Sequence, residues 1–153
     1  RFLGWDAHEK IEDTLAILKT MVEREDNYPT FAIVLKENKK MIGTIDAIIF
    51  GKGKALKAEI GYALSREYWS KGIMTEAAIG VVGHLFTNYG VHRVQAKHDL
   101  KNPASGRVME HIGMKKEGTL RDYLYVKGEY GTMNLYSILR DEWDVLYGDK
   151  SGK

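Results

Sequence analysis

The sequence contains no cysteine among its 153 residues, which excludes disulfide bonds, cysteine-ligated zinc and thiol nucleophiles. It also lacks an apolar run of about 18 residues, so no membrane-spanning helix is predicted. Neither sign of charge dominates, because the formal net charge is only +2. We therefore expect neither nucleic acid nor a membrane as a partner. The absence of thiols favours a reducing, cytoplasmic location.

The composition and length predict one globular domain over residues 1–153, because 44% of the residues are hydrophobic and a chain of this length can bury a sizeable core. The chain starts at Arg1, without methionine or a signal-peptide pattern. We expect residues before Arg1 in the natural protein. Residues 148–153 are predicted to form a disordered tail.

Hydrophobic periodicity predicts alternating helices and strands in one α/β domain without repeats. The predicted helices are His8–Asp26, Thr75–Tyr89 and a segment from Asn102-Pro103 to Gly113, with asparagine as N-cap and proline as first helical residue. The predicted strands are Thr30–Lys36, Met41–Phe50, Lys57–Leu64, Val91–His98, Tyr123–Val126 and Thr132–Leu139.

Two smaller predictions concern the second helix and the chain end. Gly80 and Gly83 lie inside the helix, where glycine costs about 1 kcal/mol each. We interpret them as marks of a close approach between this helix and the sheet. Asp141–Tyr147 is interpreted as a polar-aromatic tail.

The most informative segment is the strand that ends at Leu64, followed by Trp69-Ser-Lys-Gly-Ile-Met-Thr75 and an apolar helix. A turn that runs directly into a helix leaves a row of unpaired backbone N–H groups at a positive helix end. Such a helix start is a ready site for a phosphate. The segment therefore predicts an anionic ligand, with the carboxylate of Glu59 one strand-length away.

The same segment resembles a known family. Ala58–Leu64 with Tyr68–Ala77 looks like the central acetyl-CoA motif of the GCN5-related N-acetyltransferases (GNAT superfamily), and Asn102–Met114 resembles the helix that follows it there. Residues 120–128 and 134–139 resemble the corresponding segments of one branch of this superfamily, the ribosomal-protein N-terminal acetyltransferases (RimJ/RimL-like). The resemblance covers about residues 31–143, most of the chain.

This resemblance implies a fold of the α/β (α+β) class. It is a single mixed, mostly antiparallel central sheet flanked by helices, and it splays between the strands near 57–64 and 91–98. The resemblance also implies that the family's first strand and first helix are missing from this chain.

In the family, the free edge of the splayed strand pairs with the pantetheine arm of acetyl-CoA, and the loop amides hold the diphosphate. Carried over, the cofactor-binding residues would be Ile60, Gly61, Tyr62, Ala63, Leu64, Trp69, Ser70, Lys71, Gly72, Ile73, Met74, Thr75, Asn102 and Ser105. Acetyl-CoA would be the co-substrate, and no metal is expected. Met74 stands where the family pattern has glycine or alanine, which would narrow the loop.

Glu59 is the candidate general base, at the place of the catalytic glutamate in histone-acetylating relatives. On a strand it shares a face with Gly61 and Ala63, whose small side chains leave open space beside the carboxylate. An α-amine, with a pKa of about 7.7–8.0, needs only a weak base. The alternative is that Glu59 forms a structural pair with a lysine or caps a backbone group.

The proton donor to the leaving thiolate is the second candidate. Many relatives use a tyrosine seven residues after the asparagine, where this chain has Met109. The ribosomal-protein branch uses the position of Ser105. The hydroxyl of Ser105 could instead cap the helix start, and Asn102 could hold either the pantetheine or that helix start.

The predicted function is therefore transfer of acetyl from acetyl-CoA to a primary amine in a ternary complex, most simply a protein N-terminal α-amine. A small-amine acceptor (polyamine, amino acid or antibiotic) and a non-catalytic acetyl-CoA-binding module remain open, and Met74 and Met109 favour the module. A homodimer is a further open expectation. Aromatic residues could line the acceptor groove or fill the core: Phe2, Trp5, Tyr123, Tyr125 and Tyr130.

His92 and His98 on one predicted strand face, with Asp99 nearby, resemble a metal site only faintly. The candidate ligands are not spaced closely enough for a metal site, so we interpret these histidines as structural.

Overall fold

The computed structural model describes residues 27–148. In this part of the chain the strands are β1 Thr30–Val34, β2 Met41–Phe50, β3 Lys57–Leu64, β4 Arg93–Asp99, β5 Lys115–Val126 and β6 Glu129–Leu139. The helices are α1 Ile73–Asn88, α2 Pro103–Ile112 and α3 Arg140–Tyr147. The predicted helix over residues 8–26 and residues 149–153 of the predicted tail lie outside the described residues.

The strands form one sheet in the order β1-β2-β3-β4-β6-β5. Every neighbouring pair is antiparallel except β3 and β4, which run parallel with α1 between them in sequence. A parallel pair needs a crossover connection, and α1 supplies it. The predicted mixed, mostly antiparallel sheet is confirmed.

The sheet opens between its two parallel strands. Pairing of β3 with β4 ends at Ile60 opposite Ala96, although β3 goes on pairing with β2 as far as Leu64 opposite Gly43. On the other side, β4 continues beside β6 as far as Asp99 opposite Met133. Each strand thus follows a different neighbour after Ile60, and the predicted splay is confirmed at this point.

The helices cover one face of the sheet. The side chains of Val94 and Ala96 in β4 point toward the helices and are buried, as are those of Leu85 and Phe86 in α1. The alternation of β4 follows the period of two expected of a strand, with half-exposed polar residues on the other face. This second face carries most of the polar residues described below.

The prediction of a tail at Asp141–Tyr147 is wrong, because these residues form α3. Trp143 of this helix is only 7% exposed, and its ring lies 5.7 Å from that of Phe86. The side chain of Glu142 accepts a hydrogen bond from the Leu139 N–H at 3.0 Å and so caps the helix start. A short polar helix with a single buried tryptophan shows little hydrophobic periodicity, so the sequence pattern did not predict this helix.

The interpretation of Gly80 and Gly83 is also wrong. A Cβ on Gly83 would lie 3.2 Å from Trp143 Cζ2, so this glycine makes room for α3 rather than for the sheet. A Cβ on Gly80 would meet nothing within 4 Å. The close approach is therefore between two helices, at one glycine only.

The boundaries of several elements differ from the predictions. β5 begins at Lys115, far before the predicted start at Tyr123, because an edge strand with exposed charged residues shows little hydrophobic alternation. β4 begins at Arg93 and α1 at Ile73, each two residues from the predicted start. None of the helices within residues 27–148 has the length and apolar character needed to cross a membrane.

Candidate functional site

The open edge of β3 is the first component of the site. Beyond Ile60, no strand within residues 27–148 pairs with Gly61–Leu64 on the β4 side. Gly61 is exposed, and a Cβ there would meet nothing within 4 Å. An extended ligand with amide groups can lie along this edge and hydrogen-bond to it as a further strand would. Ile60 itself is the last paired residue, and its side chain lies in the core.

The start of α1 is the second component. Gly72 is the N-cap in the left-handed conformation, with φ of 75°, and no side chain caps the helix. The first helical bond runs from the Glu76 N–H to the Gly72 carbonyl at 3.0 Å. The amides of Ile73, Met74 and Thr75 therefore have no partner within the helix.

The loop before α1 is shaped for an anion. Ser70 also has a positive φ, 58°, two residues before Gly72. Left-handed residues in such a turn direct successive N–H groups to one side, which forms an anion-binding concavity. A Cβ on Gly72 would meet nothing within 4 Å, so the space above the amides is open. These features suit an anion, and the phosphate site stays a prediction.

Two side chains hold or charge this loop. The Trp69 Nε1–H donates to the Leu64 carbonyl at 2.7 Å and so ties the loop to the end of β3. Lys71 is exposed, with Nζ 5.4 Å from the centre of the Tyr68 ring, and adds a positive charge. Met74 is only 7% exposed because its side chain lies in the core. Met74 thus contributes only backbone to this surface, and the expectation that its side chain narrows the loop is wrong.

The start of α2 is the third component. Asn102 Oδ1 accepts from the Ser105 N–H at 3.4 Å, with Pro103 as the first helical residue. The predicted N-cap is confirmed. Met109, at the family's tyrosine position, is 1% exposed and belongs to the core. It offers no group to a ligand.

Tyr62 and Ser105 join the open edge of β3 to α2. The Tyr62 hydroxyl donates to the Ser105 carbonyl at 2.7 Å and accepts from Ser105 Oγ at 3.1 Å. Burial raises the pKa of Tyr62 to about 12, although its hydrogen bond with Ser105 acts in the opposite direction. The hydroxyl of Ser105 is directed at this phenol, and it makes no hydrogen bond to the backbone amides of its own helix start.

Glu59 lies on the sheet face opposite α1. Its Oε1 is 2.5 Å from Lys97 Nζ, and its Oε2 accepts from Gln95 Nε2 at 2.7 Å. The side chains of Glu59 and Lys97 are 24% and 13% exposed. The lysine pair anticipated as the alternative therefore exists, and both carboxylate oxygens are engaged.

These contacts continue across the sheet as one polar network. Arg93 Nε donates to Gln95 Oε1 at 3.1 Å, and its guanidinium forms a bidentate pair with Glu117. Glu117 also accepts from the hydroxyl of Ser137. The hydrogen bond from Arg93, with a smaller contribution from Ser137, lowers the pKa of Glu117.

Tyr123 closes the network at the other end, where Lys97 Nζ lies 4.7 Å from the centre of its ring. Burial acts to lower the pKa of Lys97, but the interactions with Glu59 and Tyr123 outweigh burial and raise it. Lys97 is therefore a cation in the folded protein. Glu59 thus sits between a permanent positive charge and an amide donor.

Sequence reasoning missed Gln95 and Lys97, and it considered Tyr62 only for its backbone. A signal for the first two was present, because polar residues alternate with buried ones along β4 at positions 93, 95, 97 and 99. Gln95 lies directly opposite Glu59 in the parallel pair of β3 and β4. Which strand lies beside β3 is a property of the topology, so the sequence pattern alone could not connect them.

The candidate aromatic residues are on the surface where they are described. Tyr123, Tyr125 and Tyr130 are 49%, 63% and 65% exposed, so they do not fill the core. Tyr125 and Tyr130 pair with each other, with ring centres 4.9 Å apart. Of these three tyrosines, Tyr123 lies near Glu59 through its contact with Lys97. Phe2 and Trp5 lie outside the described residues.

The two candidate histidines do not converge. His92 precedes β4 and is exposed, whereas His98 is buried with Nδ1 2.8 Å from the Asp99 carbonyl oxygen. Over the described range 27–148, no group of three or more histidine, aspartate or glutamate side chains is placed to hold a metal ion.

Comparison with known proteins adds an independent line of evidence. The family model described as "Acetyltransferase (GNAT) domain" matches residues 1–115. An uncharacterised N-acetyltransferase of Bacillus subtilis is 32% identical over 142 residues, covering 92% of this chain and 80% of that protein.

Two relatives carry more specific names. The ribosomal protein uS5-alanine N-acetyltransferase of Escherichia coli is 25% identical over 113 residues, which cover 74% of this chain and 58% of that enzyme. The crystal structure of a ribosomal-protein alanine acetyltransferase from Vibrio fischeri superposes with a TM-score of 0.73 at 26% identity, covering 92% of this chain and 80% of that one.

Proposed function

The chain belongs to the acetyltransferase (GNAT) family, and from this premise we propose that it moves acetyl from acetyl-CoA to a protein N-terminal α-amine. The observation that carries the transferase part is the open edge of β3 beside the uncapped start of α1. Together they offer hydrogen-bonding groups for an amide-rich arm and an anion site for a diphosphate. One loop of the chain connects the end of β3 to the start of α1.

In this proposal the diphosphate of acetyl-CoA binds the amides of residues 70–75 and the charge of Lys71. The pantetheine arm lies along Gly61–Leu64, where β3 has separated from β4. Asn102 holds the start of α2 and thereby places Ser105. The cofactor-binding residues proposed from the sequence thus serve mainly through their backbone.

The reaction is a direct attack in a ternary complex, because a chain without cysteine has no thiol to carry the acetyl group. The neutral amine attacks the thioester carbonyl carbon, the C–S bond breaks and the electron pair stays on sulfur. The nitrogen gives up a proton through water to Glu59, and the thiolate takes one from Ser105. A general base and a general acid of this kind each contribute about 10²–10⁴-fold in rate.

The engagement of Glu59 with Lys97 and Gln95 fits an α-amine acceptor. Both oxygens of Glu59 are already engaged by Lys97 and Gln95, and a lysine-type amine with a pKa of about 10.4 is mostly protonated at neutral pH. An N-terminal amine, with a pKa of about 7.7–8.0, is already partly neutral and depends less on a general base. The similarity to the two ribosomal-protein alanine acetyltransferases supports the same acceptor class.

An acceptor panel tests the proposal. Release of CoA from acetyl-CoA is measured with peptides that have a free N-terminal alanine or serine, the same peptides with a blocked N-terminus and an internal lysine, spermidine, free amino acids and an aminoglycoside. We expect turnover with the free N-terminal peptides. Turnover confined to a small amine would replace the acceptor class, and calorimetric binding of acetyl-CoA without thiol release would instead favour a non-catalytic binding module.

A further inference from the structure

Tyr62 is a residue of the described site whose side chain has no role in the proposed reaction. It lies on β3 two residues beyond the last pair with β4, at the open part of the sheet. Its hydroxyl and that of Ser105 are 3.1 Å apart. The phenol therefore contacts the residue proposed to protonate the thiolate.

An aliphatic hydroxyl is a poor acid on its own, because the alkoxide that it leaves behind is very basic. Met109 cannot help, because it carries no proton donor and lies in the core. A phenol is a stronger acid than an aliphatic alcohol, and burial reduces but does not remove this difference for Tyr62, whose pKa it raises to about 12. The structure brings one phenol to Ser105, and it comes from β3 rather than from α2.

We propose that Tyr62 positions and re-protonates Ser105 during departure of the thiolate. As the C–S bond breaks, sulfur takes the proton of Ser105 Oγ, and Oγ takes the phenolic proton of Tyr62. Water then returns a proton to the phenolate. The inference rests on the proposed function and assigns its acid step to a pair of residues.

The geometry allows this transfer with small movements. In the structure the Tyr62 hydroxyl donates to the Ser105 carbonyl and accepts from Ser105 Oγ. When Oγ turns its proton toward sulfur, the Tyr62 proton can rotate from the carbonyl to the freed lone pair of Oγ. The raised pKa of Tyr62 keeps the phenol protonated throughout the neutral range, so its proton is present when the thiolate leaves.

The test is a double-mutant cycle on acetyl transfer to the best peptide acceptor. Tyr62→Phe keeps the ring and removes the hydroxyl, and we expect kcat to fall about 10- to 100-fold with little change in acetyl-CoA affinity. Ser105→Ala should lower kcat by at least as much. Because both act in one step, the double variant should be no slower than Ser105→Ala.

Tyr147→Phe is the matched control. The hydroxyl of Tyr147 donates to the Ile112 carbonyl at 2.9 Å, at the other end of the same helix α2. The variant loses a similar tyrosine-to-backbone hydrogen bond, so its stability should fall by a comparable amount while kcat stays at the wild-type value. Thermal unfolding of both variants makes that comparison.

Each result decides the matter. A Tyr62→Phe variant with wild-type kcat, or one whose lower rate comes with equally weakened acetyl-CoA binding, overturns the relay. Multiplicative effects in the double variant overturn it as well. If the wild-type protein itself releases no CoA with any acceptor, the proposed function fails and the relay fails with it.

Discussion

Lys97 Nζ lies 2.5 Å from Glu59 Oε1, although the two residues come from parallel strands that separate one residue pair further on. The pair sits on the face of the sheet that α1 and α2 leave uncovered. Gln95 holds the second oxygen of Glu59, and Arg93 fixes the orientation of that amide. The position of Glu59 is therefore set by three side chains of β4, which limits its mobility.

Replacing Glu59 with glutamine should reduce turnover far more than acetyl-CoA affinity, by about 10²-fold near neutral pH. The loss should ease as the pH rises toward the pKa of the acceptor amine, because a neutral amine needs no base. Initial rates from pH 6.5 to 9 measure this. Glu129→Gln, which removes the exposed pair with Lys101, serves as control and should leave the rates unchanged. An unaltered rate in Glu59→Gln would remove this residue from the mechanism.

Gly72→Asp should abolish acetyl-CoA binding, because it puts a negative charge beside the diphosphate and strains a residue with φ of 75°. Gly72→Ala introduces the strain without the charge and should weaken binding only moderately. Gly80→Asp makes the same exchange at an open, exposed position of α1 and should bind normally. Calorimetric titration of the three variants ranks them. Full affinity in Gly72→Asp would place the diphosphate elsewhere.

The pair of Arg93 with Glu117 predicts a pH-dependent stability term. Since Arg93 and Ser137 hold the pKa of Glu117 below its ordinary value of 4.5, the carboxylate binds its proton more weakly in the folded state. Its contribution is thus present above pH 4.5 and is lost as the pH falls through the lowered value. Urea unfolding of wild type and Glu117→Gln should differ most near pH 7 and converge in acid. A constant difference down to pH 3 would contradict this account.

The two glycines inside α1 should respond in opposite ways to alanine. Gly80→Ala should raise the free energy of unfolding by about 0.5–1 kcal/mol, since a Cβ meets nothing there and alanine favours the helix. Gly83→Ala should lower it by about 1–3 kcal/mol, because the methyl group would press on the ring of Trp143. Denaturant unfolding compares the pair directly. Equal effects would mean that Trp143 can move aside.

Several local features followed from the residues themselves. Asn102-Pro103 predicted the start of α2, and the boundaries of Met41–Phe50 and Lys57–Leu64 match the structure. Capping and strand alternation depend on neighbours in sequence, so they can be read without the fold. Asp141–Tyr147 was misread because the stability of α3 comes from Trp143 packing on Phe86, a contact between distant segments.

The residues alone were enough to predict most of the elements, the glycine turn before α1 and, through motif order, the family. Which side chains meet depends on the folded domain, which brings Lys97 and Gln95 to Glu59, and Tyr62 to Ser105. Motif and capping signals act over a few residues of chain. Contacts across a sheet depend on strand order and register, which are set by the packing of the whole domain.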